Sequence, residues 1–530
     1  MNATELARAV VDGLLSAGVR QVVLAPGSRN APLSFALHDA ATAGALILHS
    51  RIDERTAAFL ALGIAKSSRR PAAVVTTSGT AAANLHPAVM EAAHAGVPLV
   101  AVTADRPARL RGTIANQTAD QVGLFGTAAV TAADVVSRAD VLEGLDGLSR
   151  GPVHLNVQLD DPLVPTDHGR PVVRDLDDPE RETADELLLD AGPATVVVAG
   201  DDAGPAARVL AEVAQWPLLA EPSSGARNGT HAIRTYRLLL GTALADRIER
   251  VVVVGAPTLS RPVQRLLARD GLEVVVNRPR GVWADRPHPV SYEHDGVFAV
   301  SAPDDPAWLD EWRSADRVLS DRLDRLVADE PELTPYDVAA AVNAALPAGG
   351  LLHVGASNPI RDLDLMAKPY PVGQHRLVIA NRGLAGIDGT LSTAIGAALG
   401  RPRTTRALAY VGDVTFLHDL TGLVIGPDEQ RPDLTIVVAN DDGGSIFATL
   451  EQGAPEHRGL FDKLFGTPHG LDLATLCSGL RVPHWRVQDR AELEHALANP
   501  NGGIEVVEAV VRRDNRRALD ERIRGLADAL

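Results

Sequence analysis

Two oxygen-rich turns stand where a metal could be held. An apolar run at residues 407–411 ends in Gly412-Asp413, and a second at 435–439 ends in Asn440-Asp441-Asp442-Gly443-Gly444. Both turns follow predicted parallel strands, at the carboxyl ends where open α/β sheets bind ligands. Asp413 and Asp441 are 28 positions apart, about the length of one helix and a returning strand. Two carboxylates with a loop carbonyl suit Mg²⁺, which takes near-octahedral oxygen and is commonly shared with phosphates. Gly412 would let a diphosphate approach the backbone, and the N–H groups of the following helix would face it. The same aspartates could simply cap helices, and their spacing alone does not separate the two readings.

A third carboxylate, Glu54, opens a helix whose next turns are apolar: Ala57, Ala58, Leu60, Ala61 and Leu62. It could serve the helix dipole or pair with Arg51 or Arg55. Beside so apolar a face it could also be desolvated and exchange a proton with a heterocycle. His38, His49, His86, His94 and His418 offer no spacing that selects a proton-transfer group, and the expectation for each is a structural role.

Short Val/Ile/Leu runs alternating with helical patterns must position these groups. They fall at 21–25, 73–77, 99–104 and 153–157, then at 195–199, 251–254 and 273–276, and finally at 351–354, 377–380, 407–411, 435–439 and 504–511. Continuous apolar strands alternating with helices predict α/β architecture: three doubly wound parallel-sheet domains covered on both faces. Polar, Pro- and acid-rich stretches at 168–186 and 301–332 divide the chain into 1–170, 186–325 and 334–530. Residues 314–328 read as an amphipathic connector helix, and Thr334-Pro335-Tyr336-Asp337 as a capped helix start.

The 530 residues carry a net charge of −17 with no basic block, which argues against a nucleic-acid or membrane partner and requires local arginines for any anionic substrate. The single cysteine, Cys477, excludes a disulfide within the chain and points to the cytoplasm; Leu476 and Leu480 place it in a packed helix. Residues 1–20 lack the pattern of a signal peptide, and no run approaches the roughly 18 apolar residues of a membrane span. No G-x-G-x-x-G opens a helix after the first strand, which disfavours a dinucleotide-binding dehydrogenase.

Seven motifs occur in order: PGSRNAPL (26–33), RIDER (51–55), TSGTAAANL (77–85), TADRP (103–107), ANQ (115–117), NRGLAGIDGTLST (381–393) and NDDGGSIF (440–447). The combination resembles the thiamine-diphosphate-dependent decarboxylase and synthase superfamily over nearly the full chain. Within it, the chain is similar to the menaquinone-pathway carboligases, transferases that decarboxylate 2-oxoglutarate and add the succinyl semialdehyde unit to isochorismate. The resemblance implies thiamine diphosphate with Mg²⁺ or Mn²⁺, at sites shared between subunits of a homodimer or homotetramer.

By that likeness Glu54 matches the glutamate that hydrogen-bonds the aminopyrimidine ring, and Ile387 the apolar wedge beneath the bent cofactor; these are the implied catalytic pair. Thr77, Gly79, Gly386, Gly412, Asp413, Asp441 and Ile446 match cofactor-contacting positions. Asp413, Asp441 and the carbonyl of Gly443 match the metal ligands. Superfamily members commonly carry asparagine where Asp441 stands and glycine where Val414 stands, so Asn440 is the rival ligand. Ser28, Arg29, Arg106, Asn116, Gln117, Ser357, Arg361 and Arg382 match substrate-contacting positions, with Phe447 and Leu450 on the apolar wall beside Ile446. Guanidinium forks suit carboxylates. Ser260-Arg261 falls where relatives carry a basic pair, and its role is open. The competing readings are another thiamine-diphosphate carboligase acting on pyruvate, which has no distal carboxylate for so many arginines, and a non-catalytic metabolite-binding regulator, against which Glu54 and Asp413 count. A regulatory site in the central domain is a further open possibility.

Overall fold

The computed structural model describes residues 1–171, 185–278, 280–283 and 285–530. Most of the polar stretch expected to separate the first two domains, 172–184, lies outside the described residues.

Three parallel sheets organise the chain. In the first, strands lie in the spatial order Ile47–Ser50, Gln21–Leu24, Ala72–Thr76, Leu99–Asp105, Val153–Gln158 and Thr131–Val135. The third runs Leu377–Ile379, Leu351–Val354, Ala407–Gly412, Leu434–Asn440, Ile504–Val510 and His484–Val487. Numbered within each sheet, both orders are 2-1-3-4-6-5, so the shared rhythm read from sequence is a shared topology. The central sheet runs Tyr292–His294, Glu273–Asn277, Arg250–Val254, Thr195–Ala199 and Leu218–Ala220, with Glu186–Leu189 and Val297–Val300 pairing apart from it.

Interior strands such as Ala72–Thr76 and Arg250–Val254 are buried throughout, because helices cover both faces. The strands that the apolar runs do not announce are different. Ile47–Ser50, Thr131–Val135, Tyr292–His294 and His484–Val487 are sheet edges with mixed exposure, Leu218–Ala220 is an edge of only three residues, and Glu186–Leu189 and Val297–Val300 form the separate pair. The connector helix is Ala307–Ala328, a full turn and more longer at its start than expected. Thr334 and Asp337 form the reciprocal cap that the sequence suggests, with Pro335 in the first turn. Cys477 is buried in the helix Leu473–Gly479, where burial pushes its thiol up to about 11. Among the described residues no helix is long and apolar enough to cross a membrane.

One helix crossing ties the first sheet's domain to the third's. Glu54–Ser68 packs on Thr390–Gly400 through glycines: a Cβ on Gly63 would lie 2.1 Å from the Thr393 carbonyl oxygen, and one on Gly396 would lie 2.1 Å from that of Leu60. Backbones can approach this closely only where no side chain intervenes. Glu54 begins one helix of the pair, and the loop holding Arg382 and Ile387 leads directly into the other. This packing contact therefore couples the placement of the two.

Candidate active site

In each of the like sheets the strand order turns back between the first and third strands, the switch point where such folds bind ligands. In the C-terminal domain the loops leaving Leu351–Val354 and Ala407–Gly412 meet there. With the segments that follow Leu377–Ile379 and Leu434–Asn440, they enclose a 140 Å³ cavity lined by Ser357, Ile387, Gly412, Asp413, Asp441, Gly443, Ile446 and Phe447, among others. Asp413 is the first residue of the helix Asp413–His418, whose N-cap is Gly412, so its side chain reaches both the first turn and the neighbouring loop. Its carboxylate accepts the N–H groups of Val414 at 2.8 Å and Gly443 at 2.8 Å, and lies 3.1 Å from the His469 ring Nε2. Burial raises the Asp413 carboxyl above its ordinary value, and burial followed by the charge of Asp413 pushes Asp441 up to about 7.

Asn440 is committed elsewhere. It donates to Glu508 at 2.7 Å and accepts the Asp442 N–H at 3.0 Å, leaving Asp441 as the cavity-lining neighbour of Asp413. Two carboxylates held together in a buried pocket are mutually unfavourable until a cation sits between them. With the nearby peptide carbonyl of Gly443 they form a hard oxygen set that fits Mg²⁺ or Mn²⁺. Ser357 holds a left-handed backbone (φ 69°) that non-glycine residues seldom adopt. Leu450 lies just beyond the lining residues, its carbonyl accepting from Arg517 at 3.1 Å.

Arginines gather beside this cavity. Arg361 donates to the Ser357 carbonyl at 2.6 Å, and its guanidinium is held below its ordinary value by burial and then by the charges of Arg382 and Arg237, with Arg261 also contributing. Arg382 is buried, donates to Thr258 Oγ1 at 2.9 Å, and leaves its Nε without a partner. Arg261 is exposed and paired with Glu451 at 3.1 Å. Like charges crowded in this way mark a place for an anion.

The equivalent switch point of the N-terminal domain gathers a different chemistry. Arg106 is buried and donates to Ser78 Oγ at 2.9 Å and to the Gln117 carbonyl at 2.6 Å. Gln117 donates back to the Ser78 carbonyl at 2.9 Å, and the N–H of Gly79 reaches Gln121 at 2.7 Å. Arg29 donates to the Leu159 carbonyl at 3.1 Å and contributes, after burial, to lowering Arg106. Thr77 is buried in the same turn, while Ser28 and Asn116 are exposed at its mouth.

Glu54 is freed of the roles that could have made it purely structural. Asp53, not Glu54, caps the helix, accepting from the N–H groups of Arg55 at 2.9 Å and Thr56 at 3.3 Å. Arg51 pairs with Glu429 at 3.3 Å, and Arg55 donates to the His418 carbonyl at 2.9 Å. Among the described residues nothing binds the half-buried Glu54 carboxylate, and no hydrogen bond or ion pair joins the N-terminal set of site residues to the C-terminal set. His49 is a core histidine hydrogen-bonded to Gln21 at 3.0 Å, and burial lowers it to about 4.

Sequence reading missed His469, which lies 3.1 Å from Asp413 and whose own N–H donates to Asp442 at 3.1 Å. It also missed Ser78 and Asn358, the latter donating to Ser445 at 2.7 Å. Pro468 and Gly470 mark a turn at His469, but nothing in the sequence connects that turn to Asp413.

Comparison with known proteins gives this geometry a family. Residues 4–124 match the N-terminal TPP-binding domain of thiamine pyrophosphate enzymes, and residues 364–507 match the C-terminal one. The chain is 65% identical to a 2-succinyl-5-enolpyruvyl-6-hydroxy-3-cyclohexene-1-carboxylate synthase of Nocardioides sp., over 99% of this chain and 98% of that protein. It is 46% identical to the proteins of the same name from Saccharopolyspora erythraea and Kineococcus radiotolerans, each alignment covering 98% of both chains. With the two thiamine-pyrophosphate-binding domains carrying the two switch-point clefts, the chain belongs to the 2-succinyl-5-enolpyruvyl-6-hydroxy-3-cyclohexene-1-carboxylate (SEPHCHC) synthases, a family of thiamine-diphosphate-dependent enzymes.

Proposed function

We propose that this protein releases CO₂ from 2-oxoglutarate and adds the remaining succinyl semialdehyde unit to isochorismate, forming SEPHCHC in menaquinone biosynthesis. The observation that carries the substrate choice is the pair Arg361 and Arg382 beside Ser357 at the metal-fitting cavity, which form no ion pair among the described residues, whereas neighbouring Arg237 and Arg261 are paired with Asp364 at 3.7 Å and Glu451 at 3.1 Å. Both substrates are dicarboxylates, and a monocarboxylate such as pyruvate would leave at least one of the Arg361 and Arg382 guanidinium groups unanswered.

Bound thiamine diphosphate supplies the electron sink for decarboxylation. Asp413, Asp441 and the Gly443 carbonyl hold Mg²⁺ or Mn²⁺, and Gly412 leaves room for the diphosphate. Thr77, Gly79, Gly386 and Ile446 complete the cofactor's surroundings, and Ile387 buttresses it. Glu54 holds a proton with the aminopyrimidine ring; its unpaired carboxylate supports that role. Arg29, Arg106, Arg361 and Arg382 bind substrate carboxylates, assisted by Ser28, Asn116, Gln117 and Ser357, while Phe447 and Leu450 exclude water. That no hydrogen bond or ion pair joins the N-terminal set of site residues to the C-terminal set, among the described residues, supports a site completed between subunits of a cytoplasmic homodimer or homotetramer. Domain limits at 1–170, 186–325 and 334–530 accommodate the three sheets.

CO₂ release from 2-oxoglutarate, measured with thiamine diphosphate and Mg²⁺, should rise when isochorismate is added and collapse in Glu54→Gln. Turnover of pyruvate in place of 2-oxoglutarate would reject the substrate assignment while leaving the cofactor chemistry intact.

A further inference from the structure

The loop that carries Arg382 and Ile387 is gripped from another domain. Glu91, in the helix His86–Ala95 of the N-terminal domain, is almost wholly buried, and its two carboxylate oxygens accept the consecutive N–H groups of Gly383 at 2.8 Å and Leu384 at 2.7 Å. From the neighbouring helix, Lys66 donates to the carbonyl of Ala380 and also lies 3.5 Å from Asp201 of the central domain. The residues next to Arg382 are thus held by a carboxylate on one side and an ammonium on the other. Gly383 makes the grip possible, since a Cβ there would stand 2.5 Å from the Glu91 carbonyl oxygen.

Burial of this kind is costly for a carboxylate, and a domain contact alone could be made more cheaply by apolar side chains. Burial raises the Glu91 carboxyl, while Lys66 and the two N–H groups favour its charged form. Paired, charge-assisted hydrogen bonds fix an orientation as well as a distance. The orientation fixed here is that of Arg382, whose only described side-chain bond is the single one to Thr258 and whose charge acts on Arg361.

We infer that Glu91, with Lys66, is a positioning pair that sets the Arg382 guanidinium for a substrate carboxylate and thereby contributes to selection of a dicarboxylic substrate. The inference rests on the substrate reading above. Neither residue touches the reacting atoms, so the expected signature is in substrate binding. In Glu91→Gln one oxygen remains to accept an N–H, while an amide NH₂ opposes the other. KM for 2-oxoglutarate should rise about tenfold, with kcat and the calorimetric Kd for thiamine diphosphate each within about twofold of wild type. Gly383→Ala moves the same loop without removing the carboxylate and should shift KM in the same direction, which keeps the test open if Glu91→Gln does not fold.

A purely structural role predicts a lower melting temperature and less active protein with KM unchanged. An unchanged KM in folded, cofactor-loaded variants would overturn the positioning role. Wild-type protein that turns over no 2-oxoglutarate would instead remove the substrate reading, and this inference with it.

Discussion

At the N-terminal switch point the positive charge of Arg106 is closed onto Ser78 and Gln117, and Gln117 answers with a bond of its own. At the topologically equivalent C-terminal point, Asp441 faces Asp413 and Arg361 faces other guanidinium groups. One fold thus supports a cleft assembled by internal hydrogen bonds and another whose charges remain unfavourable until ligands arrive. The difference lies in how each cleft holds its charged groups before ligands bind: Arg106 is oriented by hydrogen bonds to neutral groups, which leave its net charge for an anion, whereas Asp413 and Asp441 stand against like charge, as do Arg361 and Arg382.

This contrast is most severely strained by Asp413→Ala. Loss of an outer-shell partner already weakens metal sites 10–100-fold, so loss of the ligand itself should weaken Mg²⁺-dependent cofactor binding by more than about a hundredfold. The metal-free protein should melt within a few degrees of wild type, because relief of the two opposed carboxylates offsets the loss of the acceptor for the Val414 and Gly443 N–H groups. Calorimetric titration and thermal melting of the same sample read both effects, and a large fall in the metal-free melting temperature would contradict the unfavourable pairing. Ser78→Ala should behave oppositely. It removes a buried hydroxyl that accepts from Arg106 and donates to Gln117, and should cost about 1–2 kcal/mol in denaturant unfolding with no change in Mg²⁺ affinity.

A smaller effect concerns the buried carboxyl of Glu221, whose Oε1 accepts the Leu259 N–H at 2.9 Å, next to the Thr258 that binds Arg382. Burial pushes it up to about 8, opposed chiefly by the Leu259 N–H and then by Arg382, with Asp364 and Asp201 adding to the rise. The folded chain keeps a proton that the unfolded chain releases near the ordinary value of 4.5, so this group's contribution to stability falls as pH rises from about 4.5 to about 8. Glu221→Gln, which retains the acceptor for Leu259, should flatten the pH dependence of the melting temperature across that window. An unchanged slope would show that Glu221 is not the group responsible.

The sequence disclosed what depends on neighbours along the chain. Buried interior strands are continuous apolar runs, and Gly412-Asp413 and Asp441 stand at strand ends that those runs define. Edge strands such as Thr131–Val135 have one side half-open and lose the pattern. Pairings between distant segments left no local trace: His469 lies 56 positions from Asp413, and Glu91 lies 292 from Gly383. For Glu54, local pattern could not distinguish a cap, an ion pair and a free carboxylate. That choice depended on where Asp53, Arg51 and Arg55 found their partners.

The claim that the two clefts complete one another between chains can be tested by co-expressing Glu54→Gln and Asp413→Ala with different tags and isolating the doubly tagged hybrids. Each parent should be inactive. If the site joins Glu54 of one subunit to Asp413 of its partner, every hybrid dimer retains one intact site, and an unfractionated equal mixture should recover up to about a quarter of wild-type CO₂ release. Hybrids that bind thiamine diphosphate yet release no CO₂ from 2-oxoglutarate would contradict the shared site.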